Sequence, residues 1–151
     1  MKFLDANPFV YAYYRPGKPL TEELKTMKNE AKSIISRIDE GEERVLTSVV
    51  HVSEIANILK RSMQPVELVE VVSGILMNEN VQVEGVTPED YLGAAESALD
   101  FRVDPNDSLA VILMRRHQIH DIYTFDRGFD RVGGIRRLPG GPEKREESGA
   151  G

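Results

Sequence analysis

The chain of 151 residues reads as an α/β protein whose parallel sheet is covered by helices on both faces. Two features lead to that expectation. Short apolar runs of three or four residues alternate with longer segments of helical periodicity, and most of those longer segments open on a recognisable start signal.

Lys2-Phe3-Leu4 is a short apolar run that stops at Asp5, which predicts a first strand. After Asn7-Pro8 the stretch 9–14 can begin a helix, with Pro8 in its first turn, and Arg15-Pro16-Gly17 breaks it. Thr21 is an N-cap residue, and Leu24, Met27, Ala31, Ile34, Ile35 and Ile38 share one helical face until Gly41 ends the segment. A second strand is expected at 44–47, followed by helices at 49–61 and 65–77, the latter opened by Pro65. Val81-Gln82-Val83 supplies a third strand. Thr87-Pro88 and Asp104-Pro105 each pair a cap with proline at the first helical position, so helices should run to about Leu99 and about His117. Fourth and fifth strands are expected at 121–124 and 135–138. Residues 1–138 then form one domain, and 139–151, beginning Pro139-Gly140-Gly141-Pro142, should be a loose tail.

The composition suits one ordinary globular domain, at 40% hydrophobic and 29% charged. No apolar run approaches the ~20 residues of a membrane span, and the acid at position 5 interrupts what a signal peptide would keep apolar. Cysteine is absent, which removes disulfides, thiolate zinc sites and cysteine nucleophiles and is compatible with a cytoplasmic setting. The net charge of −6 is unevenly spread. Residues 38–100 hold thirteen acids against three bases, whereas 1–37 hold seven bases against four acids and 111–139 six arginines against three aspartates. An acidic chain can therefore still offer a basic lip to a polyanion, although scattered solvated charge explains the same counts.

In sheets of this class ligands gather beyond the carboxyl ends of the strands. Four acids draw attention on that rule, each with a plainer explanation beside it. Asp5 ends the first strand, where a bare buried carboxylate is costly unless paired or metal-bound; it can equally cap the helix that follows. Asp126 ends the fourth strand, or caps the segment 127–132, or pairs with Arg127. Asp107 falls in the first turn of a helix capped by Asp104, where the helix dipole favours an acid, and Asp104 competes for its role. Glu54 lies soon after the second strand, but it sits opposite Val52, Ile55, Ala56 and Leu59 on the helical wheel, as a solvated glutamate would.

Taken together the acids have a chemical logic. Carboxylates crowded at one rim repel unless protons or a cation intervene, and hard oxygen donors suit Mg²⁺ or Mn²⁺. Such an ion can activate water and neutralise charge on a phosphodiester. His51, His117 and His120 share no ligand spacing and read as packing or surface residues. Tyr11, Tyr13 and Tyr14 could stack on bases or pack. Arg115, Arg116, Arg127, Arg131, Arg136 and Arg137 are candidates for a phosphate backbone, with Arg127, Arg115 and Arg116 placed first.

With these residues in view, the chain resembles the PIN-domain ribonucleases, including VapC-like toxins and free-standing archaeal relatives. Phe3-Leu4-Asp5-Ala6-Asn7 resembles the family's strand-then-aspartate start, and the run from Thr47 to Glu54 its strand, small hydroxyl residues and helix glutamate. Asn106-Asp107-Ser108-Leu109-Ala110 resembles the third acid, and the run from Tyr123 to Asp130 the fourth. The resemblance implies a three-layer α/β/α sandwich with a five-stranded parallel sheet ordered 3-2-1-4-5. It implies an endoribonuclease using Mg²⁺ or Mn²⁺ held by Asp5, Glu54, Asp107 and Asp126, with Asn7 and Thr124 as supporting polar contacts. A homodimer is implied, and for toxin members a cognate antitoxin. Ala6 and Ser108 depart from the family pattern, and Gly128 stands where some relatives carry a further acid, which leaves one metal or two open. The readings that compete are a PIN module that binds RNA or protein without cutting, and a haloacid-dehalogenase-like phosphatase, which would need an aspartate where Asn7 stands.

Overall fold

The computed structural model describes residues 1–15 and 17–140; the expected tail lies, from residue 141 onward, outside the described residues. Five parallel strands, β1 (Lys2–Leu4), β2 (Val45–Ser48), β3 (Val81–Glu84), β4 (Asp121–Tyr123) and β5 (Arg136–Leu138), form one sheet in the order β3-β2-β1-β4-β5. Around it lie α1 (Ala6–Tyr13), α2 (Glu22–Asp39), α3 (Val49–Leu59), α4 (Pro65–Met77), α5 (Pro88–Phe101) and α6 (Pro105–Arg116), with a 3₁₀ helix at Arg127–Arg131. The expected strand order is the observed one.

Alternation along the strands splits the core into two layers. Leu4, Val45 and Tyr123 face a cluster with Phe9, Ile34 and Ile55, on the side of α1 to α4. Their strand neighbours Phe3, Leu46 and Ile122 face Leu109, Leu113 and Phe129, on the side of α5 and α6. A period of two along each strand thus decides which helices each residue meets. The central strand β1 pairs with β2 through Phe3↔Leu46 and with β4 through Phe3↔Ile122.

The helix starts follow the signals in the sequence. Thr21 accepts from the Leu24 N–H, and Thr87 with Asp90 forms a reciprocal capping box. Asp104 accepts from the Asp107 N–H at 2.8 Å. Helix α1 begins earlier than expected, at Ala6, because Asp5 itself caps it. Tyr11 packs edge-on to Phe125 and Tyr13 stacks on Phe9, so two of the three tyrosines are packing residues.

Candidate active site

Strands β1, β2 and β4 end on the same edge of the sheet, and β1 is the switch point from which the chain goes one way to β2 and the other to β4. Asp5 sits there, 4% exposed. Both its oxygens have partners: Oδ1 accepts from the Ala6 N–H at 2.8 Å and Oδ2 from the Thr124 hydroxyl at 2.7 Å. The cap and the site are one residue. Thr124 in turn accepts from the Asp126 N–H at 3.1 Å, and Asn7 Oδ1 accepts from the Phe125 N–H at 3.1 Å. Asn7 and Thr124 therefore fix the turn that carries Asp126 to the end of β1.

Asp126 caps the 3₁₀ helix, its Oδ1 accepting from the Gly128 N–H at 2.8 Å. A Cβ at Gly128 would lie 3.1 Å from that same Oδ1, so a side chain there presses on the carboxylate. Glu54, half-buried on α3, accepts from Asn106 Nδ2 at 3.2 Å, and the Asn106 carbonyl oxygen accepts from the Tyr91 hydroxyl at 2.5 Å. This tie crosses from α3 to α6 and α5.

The acids feel one another. Burial pushes the Asp5 carboxyl up to about 6 against the pull of its Thr124 and Ala6 hydrogen bonds, with the charges of Asp126 and Asp104 adding to the rise. Asp107 is pushed up to about 9 by burial, then by the charges of Asp5, Asp104 and Asp126, and it shares a hydrogen bond with Asp126. Burial also raises Glu54, with Asp5 and Asp104 reinforcing it and Asn106 and His51 opposing. All four acids singled out in the sequence thus share one field, and Asp104 joins them. Asp104 is both the α6 cap and a contributor to the site.

His51 was expected as a packing residue and is fully buried edge-on to Phe3. Its Nδ1 pairs with Ser48 Oγ at 2.6 Å, and its Nε2 finds no well-formed partner, with Asp5 Oδ1 at 3.9 Å. Burial drives the ring down to about 4 despite the Glu54 charge, so it is neutral near pH 7.

The arginines divide differently from expectation. Arg127, exposed, adjoins Asp126. Arg115 and Arg116 lie at the other end of α6, roughly 14 Å along its axis from Asp107; Arg115 stacks on Phe101 and Arg116 pairs with Asp90. Arg137 is buried against Asp130 at 2.9 Å, and Arg136 pairs with Asp121. Each of these four side chains is engaged by a partner other than the four acids.

Among the described residues no three His, Asp or Glu side chains stand close enough to hold a metal ion in this arrangement. Like charges at one rim repel, and the raised Asp107 carboxyl reflects that repulsion together with burial. The donor set still fits a hard divalent cation: it is all oxygen, and the neighbouring charges that help raise Asp107 mark a place where negative charge gathers. Two raised carboxyls have a measurable consequence. The unfolded chain releases these protons near pH 4, whereas the folded chain keeps them to about 6 and about 9. At these two carboxyls the native state binds more protons between those limits, while neutral His51 opposes them below about 6.5, so chelator-treated protein should show a net loss of stability as pH rises from about 4 to about 9. Urea denaturation across that range checks it; a rise in stability across the whole window would contradict the crowding.

A family model described as PIN domain matches residues 2–135. The chain is a PIN-domain protein. Among solved structures this PIN domain is similar to the crystal structure of Mycobacterium tuberculosis VapC20, described as a sarcin-ricin loop cleaving toxin. The TM-score is 0.66 at 22% identity, over 88% of this chain and 95% of that one, a likeness of fold. No curated protein sequence matches this chain. Three features of the site were not legible beforehand. Asn106 was visible only as a neighbour of Asp107, His51 only as one residue of the run from Thr47 to Glu54, and the Tyr91 hydroxyl carried no motif at all.

Proposed function

We propose that this PIN-domain protein is a divalent-metal-dependent endoribonuclease. The observation that carries the reading is the convergence of Asp5, Glu54, Asp107 and Asp126, with Asp104, in one electrostatic field at the carboxyl edge of the sheet, so crowded that one of them retains its proton. Asp5, Glu54, Asp107 and Asp126 would hold Mg²⁺ or Mn²⁺. When bound, such an ion supplies a lowered pKa for attacking water and neutralises charge on the phosphodiester. Thr124 and Ala6 orient Asp5 through one hydrogen bond to each of its oxygens. Asn106 orients Glu54, the acid on the other side. Arg127 is exposed beside Asp126 and suits a flanking phosphate.

The similarity to VapC20, described as a sarcin-ricin loop cleaving toxin, favours RNA as substrate and extends the reading to a toxin; a cognate antitoxin and a homodimer follow from the resemblance to PIN-domain toxins. Among the described residues no helix is long and apolar enough to cross a membrane, which suits a cytoplasmic setting.

The test is cleavage of single-stranded and structured RNA by the purified chain with Mn²⁺ or with excess chelator. Internal cuts with Mn²⁺, lost on chelation, are expected, with p-nitrophenyl phosphate left intact. RNA bound but never cut would make the chain a binding module. Turnover of the phosphomonoester alone would make it a phosphatase.

A further inference from the structure

Beside Glu54 a cleft of about 730 Å³ runs along α3, with Tyr91 of α5 and Asn106 of α6 on one wall. We propose that this cleft seats the single-stranded RNA flanking the scissile phosphate, with a base stacked on the Tyr91 ring and the backbone held by Lys60. The proposal rests on the ribonuclease reading and deepens it by assigning a substrate-binding subsite.

Four observations point to this occupant. The first is continuity: Glu54 and Asn106 line the cleft and Glu54 belongs to the acidic rim, so a strand whose phosphate reaches the acids can continue along α3. The second is length. Val49 and Lys60 both line it, roughly 16 Å apart along the helix, room for a short single-stranded segment.

The third is charge. Residues 38–100 are the acidic stretch of the chain, yet Glu54 and Lys60 are the only charged groups among the described residues lining the cleft. A polyanion meets one acid there, at the candidate centre, and one base beyond it. The fourth is the wall itself. Tyr91 is 37% exposed, and its hydroxyl is already committed to Asn106, which fixes the ring without consuming its face. Val49 offers apolar surface opposite in the same cleft, being 45% exposed. An aromatic face with a cation nearby is the common way to hold single-stranded nucleic acid without reading its sequence.

The experiment measures binding of a short fluorescent single-stranded oligouridylate to the full chain in chelator, together with KM and kcat for cleavage in Mn²⁺. Tyr91→Ala should weaken binding and raise KM roughly tenfold, and Tyr91→Phe, which keeps the ring, should restore most of that loss. Lys60→Gln should weaken binding and reduce the slope of log affinity against log salt by about one phosphate contact. Unchanged affinity and KM in Tyr91→Ala, in a parent that cuts RNA, would overturn the subsite and leave the nuclease reading intact. The subsite falls equally if Tyr91→Ala changes only the oligomeric state, which would make the cleft a contact between copies of this chain. A parent that neither binds nor cuts RNA would overturn both. Circular dichroism of each variant separates misfolding from loss of contact, and Tyr91→Phe remains diagnostic if Tyr91→Ala fails to fold.

Discussion

Asp5→Asn should lower RNA cleavage at least ~100-fold, while the metal-free variant melts no lower than the parent. Residues that merely support a metal ligand already cost 10–100-fold when removed, so a ligand at the switch point should cost no less. Stability moves the other way because of burial. The Asp5 carboxyl rises from its ordinary value to about 6, so keeping it ionised at pH 7 costs the fold up to about 3 kcal/mol. Asparagine carries no charge to desolvate and its carbonyl can still accept from the Ala6 N–H. Its amide faces the Thr124 hydroxyl, which already accepts from Asp126, so part of the gain is offset. Mn²⁺ adds a second readout: at a hundred times its dissociation constant it should stabilise the parent by about 2.7 kcal/mol and the variant far less. Single-turnover cleavage and thermal melts with and without Mn²⁺ decide it. An equal melting shift in both proteins would remove Asp5 from the metal site.

Phe129→Ala should destabilise the fold by about 3–5 kcal/mol, the usual cost of emptying a large aromatic site in a core. Phe129 is 0% exposed and packs with Phe3, Leu109 and Ile122. It also belongs to the 3₁₀ helix that Asp126 caps, so its ring anchors the segment carrying the fourth acid. A lower urea midpoint with an unchanged slope is expected, along with weaker cleavage even where the variant is fully folded. A loss below about 1 kcal/mol would mean that the segment is not held by this ring.

The fold was legible because its signals are local. Thr21, Thr87-Pro88 and Asp104-Pro105 mark helix starts by chemistry that acts within three residues, and each cap is observed in place. Strand order is not local, and only the family resemblance supplied it. The site divides the same way. Asp5 stood out because a strand end that is also acidic is costly to bury. Glu54 did not, because its helical wheel describes α3 alone and omits Asn106, which arrives from α6. The arginines near the C-terminus show the opposite limit. Charge can be counted along the sequence, but its pairing cannot: buried Arg137 spends its charge on Asp130 and Arg116 pairs with Asp90. Asp104 caps α6 and its charge also raises Asp5 and Asp107, so one residue takes part in both settings.

The bond between Asp5 and Thr124 spans 119 positions, and β1 lies between two strands that come from opposite halves of the chain. A ribosome therefore delivers the first acid early and the last one late. Until β4 emerges and docks, β1 has one bare edge and Asp5 lacks both Thr124 and Asp126. A chain halted before β4 would therefore carry Asp5 without the hydroxyl that orients it, and the candidate site would be incomplete.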